Sequence, residues 1–589
     1  MIRKSIRQML TAQIFSALTV SLCLLIDNVV IGQFLGEKAM AAYGFANPLL
    51  LTIGAIGSML AAGIQVSVGK SLGRGSREET DEGYSSSMAV AGLISVSFAV
   101  IVVLLRNPLA TLMGAGSSGE EFEMTRDYLA GFSIGAPGSM GALTLVPFLQ
   151  MAGQSNLLIV AVVSMTVADV ALDLLNVLVF HGGMFGIGLA SSLSYYVAMV
   201  FAAVYFLSKK CIYRFSLKKV TKAKILELIR GGVPAGVNMA ASVVLVFILN
   251  QILKSAGGSE GVAAYAVIMS IGNAANCIST GIGGVSLTLC GILYNEEDRT
   301  GLKDTVTLLT RYATILGIVM AVLLLFFAPA LVGIFLKEPG EAQTQAILGL
   351  RLFAAGLVFC AVNNVFKFMY QATDKEKMTE LMCLLEGLVF PALGAFVFSR
   401  FMGTAGVWLY FLCGEVLTIV FLALLIRKRS GGQAPWKNGA YLMLKDGFGA
   451  PEEDCLEVDI HNMDEVSAVS EQARQFCLQH GQSSRVANHV SLCVEEKASN
   501  TIEHGFREGA DNHLSLRILF QKDYWVLRFR DDCGAFDPVS YIPEKSDAEK
   551  DLGIRLIQSL AEEARYTYSL NLNNLMLKLP SHGEENSQD

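Results

Sequence analysis

Charge is scarce in this sequence. Asp, Glu, Lys and Arg make up 16% of its 589 residues, against 53% hydrophobic residues and a mean hydropathy of +0.49. A soluble chain of that length needs a denser charged surface, so a single large soluble enzyme and a disordered chain are both excluded. No C-x-x-C pair occurs among the 11 Cys. The thiols give no disulfide scaffold, and several, Cys277, Cys290 and Cys383 among them, sit inside apolar runs as small apolar fillers. Arg3, Lys4 and Arg7 precede an apolar run, but no A-x-A-like cleavage site follows, so the run is expected to remain as a first membrane helix. The charges that do occur are unevenly placed. Residues 1–429 hold 30 Lys and Arg against 25 Asp and Glu, a net of +5, and residues 430–589 hold 15 against 27, a net of −12. An apolar, mildly basic part is followed by a polar, acidic one, and that acidity argues against nucleic acid as a partner.

Long apolar runs fill the first part. Stretches of about 20 apolar residues cross a bilayer as helices. Twelve are predicted, at 12–34, 45–68, 86–106, 128–150, 157–180, 187–207, 231–253, 262–290, 308–336, 347–371, 380–399 and 404–426. An even number returns the chain to its starting side. Basic clusters at 3–7, 209–224 and 427–429 mark that side as cytoplasmic, so the N-terminus, the central loop and the acidic part are expected there, in a multi-pass protein of the cell membrane. The runs also repeat at a nearly constant offset. Ala41-Ala42-Tyr43 recurs as Ala263-Ala264-Tyr265, and Gly63-Ile64 as Gly281-Ile282. Pro108 matches Pro329, and Phe148, Ala152, Gly186 and Leu189 match Phe368, Ala372, Gly406 and Leu409. The membrane part is therefore two homologous six-helix halves of like topology, a design used by transporters with a site between the halves.

Ionised groups in a bilayer interior are costly, by about 2.5–3.5 kcal/mol each on insertion scales, and so point to function. Asp27 lies inside the first span beside Asn28. Asp169 and Asp173 share one face of the fifth, at i and i+4. Carboxylates that close repel, so one of the pair is expected to hold a proton, which suits a site that takes up and releases H+ or Na+. Glu386 and Glu415, in the eleventh and twelfth spans, are candidates for the substrate cavity together with Asn28. Lys367 is expected to snorkel from a helix end, and His181 to sit at an interface. Gly63 to Ser71 nearly spells a P-loop but has five residues between its glycines where four are required, which removes an ABC-type pump.

The segment IDNVVIGQFLGEKAMAAYGFANPL resembles the opening helix of the multidrug and toxic compound extrusion (MATE) family, with Asp27, Gly32 and Ala41-Ala42 at the motif positions and Gly36 one residue beyond the usual glycine spacing. GGVPAGVN, with Pro234, and GVWLYFLCGEVLT resemble its seventh and last helices. The resemblance covers about residues 5–427. It implies a V-shaped pair of six-helix bundles that exports amphipathic, often cationic, small molecules in exchange for H+ or Na+. The family's fifth helix usually reads N-x-x-x-D, and here Asp169 replaces the Asn.

After a stretch holding Gly431, Gly432, Pro435, Gly447, Gly449 and Pro451, the periodicity changes. LSLRILFQKDYWVLRFRDD alternates as two strands with a turn near Lys522-Asp523, and RVANHVSLCVEEKASNTIEHGF reads as a helix with Glu496, Asn500 and His504 on one face. With Asp531 to Pro538 after a strand, this set resembles the GHKL ATP-binding fold, closest to its anti-sigma-factor serine-kinase branch. The resemblance implies that Glu496 is the catalytic general base, that Asn500 holds Mg2+, that His504 completes the nucleotide-binding helix motif, that Asp531 accepts from the adenine amino group and that Gly553 lies near the phosphates. Cys533 stands where the family has the glycine of D-x-G, and Asp551 where it has the first glycine of G-x-G.

The expected architecture is a membrane all-α part joined to an α/β two-layer sandwich. The divisions are 1–207 and 231–429 for the two halves, a basic linker at 208–230, a second linker at 430–456, the ATP-binding-like domain at 457–580 and a tail at 581–589. The expected function is ion-coupled efflux with a cytoplasmic domain that senses nucleotide or a protein partner. A lipid-linked precursor flippase and a membrane-tethered serine kinase are the alternatives.

Overall fold

The computed structural model describes residues 6, 9–15, 27, 30–35, 37–113, 115–208, 211–336, 340–432, 434, 437–445, 448–507, 512–521, 523–541, 552–569 and 572–581. A backbone in lipid must satisfy its own hydrogen bonds, and the apolar runs do so as helices. Among the described residues ten helices are long and apolar enough to cross a membrane, or eleven if the bent pair Glu120–Ser133 and Ala136–Met151 is one span. The pair meets at 48°, where Pro137 removes a backbone donor and the Ser192 side chain backs directly against Gly135. The predicted first span lies mostly outside the described residues. The seventh and eighth fall on Lys222–Leu253 and Ala264–Asn295, so the second half's first helix begins inside the expected basic linker. That linker is packed rather than loose: Lys219 pairs with Asp81 at 2.9 Å, and the backbone of Arg214 donates to the same carboxylate.

The sequence repeat is a structural one. In the first half, helix Glu37–Gly73 is followed by a turn with Gly75 at φ 70° and Ser76 capping Arg77–Leu104. In the second, Lys222–Asn295 is followed by Glu297 at φ 55° and Asp298 capping Arg299–Phe335, each at the offset that relates Ala41 to Ala263. The halves meet near these turns. Gln65 Nε2 donates to Thr288 Oγ1 at 3.3 Å, Lys70 pairs with Asp374, and Gly73 lies against the Ile292 carbonyl too closely for any side chain.

The C-terminal domain is an antiparallel sheet of β1 (Cys455–Ile460), β2 (Leu514–Gln521), β3 (Tyr524–Asp531), β4 (Glu563–Ser569) and β5 (Leu572–Pro580), in the order β1-β2-β3-β5-β4. Its first strand starts just before the expected domain boundary at 457. Helices Met463–Gln479 and Ser484–Gly505 cover one face, burying Trp525, Leu527, Phe529, Leu575 and Leu577 with Val490 and Ala498. Alternation along β3 and β5 sends Arg528, Arg530, Asn574 and Met576 to the opposite face. That face meets the turns just described. Arg530 Nη2 pairs with Glu296 Oε2 at 2.5 Å, Arg517 pairs with Asp298, and Arg565 Nη1 donates to the Arg74 carbonyl at 2.7 Å. The connecting segment is also held. Tyr370 donates to the Tyr441 carbonyl at 2.7 Å, Tyr441 and Leu442 are buried, and Phe448 stacks on Tyr294.

Candidate functional site

Three acidic side chains converge in the first half. Asp27, Asp169 and Asp173 are all buried, and the carboxyl group of Asp27 lies within electrostatic reach of both others. The i, i+4 spacing in Ser155–Leu175 places the pair on one face. Buried ionised carboxylates repel one another, so such a cluster needs a proton or a cation to hold it. Wide π-type turns follow the site directly, at Ile31–Leu35 and Asn176–Phe180, and such turns are frequent at functional sites. Tyr43 lies within the electrostatic reach of Asp27, edge-on to Tyr128 at 5.4 Å, and was not singled out from the sequence. The signal was available in the repeat, since Tyr265 is its counterpart and stands edge-on to Tyr410 at 5.9 Å. Asn28 lies outside the described residues.

The second half holds a different set. Glu386 is paired with Lys367, and Glu415 Oε2 accepts from Asn363 Nδ2 at 2.8 Å. Lys367 is 6% exposed, which corrects the expectation that it snorkels. The helix pair carries its ammonium to Glu386 instead, an arrangement in which each charge offsets the other in a low-dielectric interior. Glu386 lies in a π-type turn, Leu385–Val389. His181 is exposed in a left-handed turn at φ 50°.

In the C-terminal domain a cavity of about 600 Å3 is lined by Lys497, Asn500, His504, Asp531, Asn573 and Ile557 among others. Asp531 is 2% exposed, and its Oδ1 accepts from Asn573 Nδ2 at 2.6 Å and from the Cys533 backbone at 3.2 Å, while Lys497 Nζ stands 3.6 Å from Oδ2. Asn573 also accepts from the Tyr566 hydroxyl at 2.6 Å. Neither Lys497 nor Asn573 was marked in the sequence. Both follow from the register, since Asn573 is the direct cross-strand partner of Asp531. Burial, and then the neighbouring Asp531, pushes the Cys533 thiol up to about 12, so it is a neutral side chain at physiological pH. Asn500 and the exposed His504 line the cavity, while Glu496 stands beside the start of helix Leu552–Leu560. A Cβ on Gly553 would meet Glu496 Oε2 and Asn500 Nδ2, so a side chain there would displace the tips of both. Asp551 lies outside the described residues. The cavity, its buried acceptor and this bare helix start fit an adenine nucleotide with its phosphates toward Asn500.

Two homologous membrane halves with buried acidic groups, joined to an ATPase-like domain, define a transporter fused to a second domain. The family comparison agrees with the internal repeat. The MatE model matches residues 12–175 and again 234–397, and the Histidine kinase-like ATPase domain matches 461–579. The chain belongs to the MatE family and carries a C-terminal histidine-kinase-like ATPase domain. It is 24% identical over 408 residues to Multidrug export protein MepA of Staphylococcus saprophyticus, covering 68% of this chain and 88% of that one. It is 23% identical to Probable multidrug resistance protein YoeA of Bacillus subtilis over 329 residues, covering 53% and 69%. Among solved structures, an outward-facing multidrug resistance MATE family transporter superposes with a TM-score of 0.68 at 20% identity, covering 74% of this chain and 96% of that one. A MOP superfamily transporter from Pyrococcus furiosus superposes at 0.67, also at 20% identity, covering 73% and 96%.

Proposed function

We propose that this chain exports amphipathic, often cationic, small molecules across the cell membrane in exchange for an ion, and that its C-terminal domain binds ATP with Mg2+ on the cytoplasmic side. The observation that carries the transport reading is the burial of Asp27, Asp169 and Asp173 within electrostatic reach of one another inside the first half. Protonation of that cluster removes repulsion, and its discharge restores it, so ion occupancy biases the packing of the helices that carry the three groups. The coupling ion is H+ or Na+, since either one neutralises a buried cluster of carboxylates. The names of the MepA and YoeA relatives support multidrug substrates. The basic clusters of the sequence support the cytoplasmic placement of the domain.

Within the domain, Asp531 would hold the adenine amino group and Asn500 the Mg2+, which would neutralise phosphate charge when bound. The ion gradient drives the cycle, and the domain regulates it. The test is uptake of a cationic fluorescent dye into proteoliposomes under an imposed pH or Na+ gradient without ATP. Uptake under the pH or the Na+ gradient that is lost in Asp173→Asn is the expected result. Uptake that requires ATP under either gradient would sink the reading.

A further inference from the structure

We infer that the C-terminal domain is a nucleotide-controlled bolt across the two halves of the transporter. The inference rests on the reading that the domain's cavity binds an adenine nucleotide. It begins from where the domain sits. Its open sheet face reaches the first half at Arg74 through Arg565, and the second half at Glu296 and Asp298 through Arg530 and Arg517. These are the same turn in the two halves, since Gly75 and Ser76 correspond to Glu297 and Asp298 in the repeat. The bridge joins rigid points. Asp298 also caps the next helix by accepting from the Gly301 backbone at 2.8 Å, and Glu296 and Asp298 are each 5% exposed. The turns lie where Gln65, Lys70 and Gly73 already hold the halves together. A transporter of two lobes must part them on this side to change the side its site faces. With the bridge in place, parting would break the exposed Arg565–Arg74 bond or strip Glu296 and Asp298 from Arg530 and the buried Arg517.

The second link is in the strands themselves. Arg530 and Asp531 are consecutive on β3, and Asn574 and Asn573 are their cross-strand partners on β5. Alternation places Asp531 and Asn573 in the nucleotide cavity and Arg530 and Asn574 on the transporter face. Both pairs are hydrogen-bonded, Asn573 Nδ2 to Asp531 Oδ1 at 2.6 Å and Arg530 Nε to Asn574 Oδ1 at 2.8 Å. A purine amino group that donates to Asp531 joins the Asn573 amide on one carboxylate and ties the nucleotide to both strands. Any shift of β5 against β3 that accommodates the base moves Asn574, which orients the guanidinium on Glu296. Nucleotide in the cavity thus loosens the bridge, and the empty domain holds it. The coupling is reciprocal, so breaking the bridge must tighten nucleotide binding by the factor with which nucleotide weakens the bridge.

The full chain in nanodiscs tests this with two readouts. Binding of the fluorescent analogue TNP-ATP reports the cavity. Nitroxides on ketone-bearing amino acids at the exposed positions Arg77 and Arg299 report the distance between the two turns by pulsed electron resonance. The expected result is one short distance without nucleotide, a longer population with AMP-PNP, and the longer population without nucleotide in the Arg517→Ala/Arg530→Ala variant. That variant is expected to bind TNP-ATP about fivefold or more tightly. Arg565→Ala, which removes the bond to a first-half carbonyl and an exposed pairing with Glu563 inside the domain, is expected to shift both readouts in the same direction and covers the case of a misfolded double variant. TNP-ATP binding with an unchanged distance would overturn the bolt while leaving the nucleotide reading intact. Failure to bind TNP-ATP would overturn both.

Discussion

Asp173 and Leu393 hold the same place in the two halves, at the offset that relates Ala152 to Ala372 and Gly186 to Gly406, yet one is a buried carboxylate and the other an exposed leucine. At that offset Asp169 corresponds to Val389, and at the offset of Ala41 and Ala263 Asp27 corresponds to Leu249. The repeat preserved the helices and discarded the acidic cluster from one copy. The second half built its own polar set from Lys367, Glu386, Glu415 and Asn363, at positions with no charged counterpart in the first. The proposed ion coupling would therefore rest on the first half alone.

Replacing Asp173 by Asn keeps the shape and removes the charge. Dye transport driven by the gradient of the coupling ion is expected to fall by roughly tenfold or more, equivalent to about 1.4 kcal/mol or more at the coupling step. Comparison of initial uptake rates in proteoliposomes checks it. Glu415→Gln is expected to leave the ion dependence in place, and a loss equal to that of Asp173→Asn would refute the assignment to one half.

The Lys367–Glu386 pair is expected to matter through its integrity. Lys367→Met leaves Glu386 buried and unpaired, a change that costs about 3–5 kcal/mol in comparable buried pairs. Removing both charges, as Lys367→Met with Glu386→Gln, should recover most of that loss. Thermal unfolding of the purified variants in detergent decides it, and equal melting of the single and double variants would count against the pairing.

Gly553→Ala introduces a methyl where Glu496 and Asn500 stand. The Glu496 carboxylate and the Asn500 amide must swing aside, and TNP-ATP affinity is expected to drop about tenfold, or about 1.4 kcal/mol, with the domain still folded by circular dichroism. An unchanged affinity would show that this helix start does not face the ligand.

Cys533 gives a pH-dependent signature. Its thiol lies at about 12 against an ordinary 9.0, which leaves roughly a thousandfold less thiolate at a given pH below 9. The folded state favours the protonated form, so the residue's contribution to stability is whole below about pH 9 and is lost as pH rises toward 12. Iodoacetamide labelling followed by mass spectrometry at about pH 8 should find Cys533 nearly unmodified in the folded chain and readily modified after denaturation. Rapid labelling in the folded chain would contradict the environment described.

The helical spans, the twofold repeat and the change to a sheet domain were legible because each leaves a periodic trace. Apolar runs, a constant offset between matching residues and alternation along 514–531 need no knowledge of distant contacts. Asp27, Asp169 and Asp173 were legible because charge in an apolar run has few explanations. Lys367 was misread because its distance from a helix end can be counted, whereas the approach of Glu386 from another helix cannot. Asn573 was missed because only the strand register, which sets it opposite Asp531, tells it from the adjacent Asn574 as the one that faces the cavity. The contacts of Arg517, Arg530 and Arg565 left no local trace, since their partners lie far away along the chain, in turns that only the fold brings beneath the sheet.

The strap around Tyr441 and Leu442 has a mechanical consequence. Because it is buried against the second half, the domain is a passenger of that half and travels with it as one load. Its grip on the first half is then the far end of a lever whose pivot is the strap. A longer or looser strap would let the passenger stay seated on both halves while they rock. The tight one turns each rocking motion into a pull on Arg565.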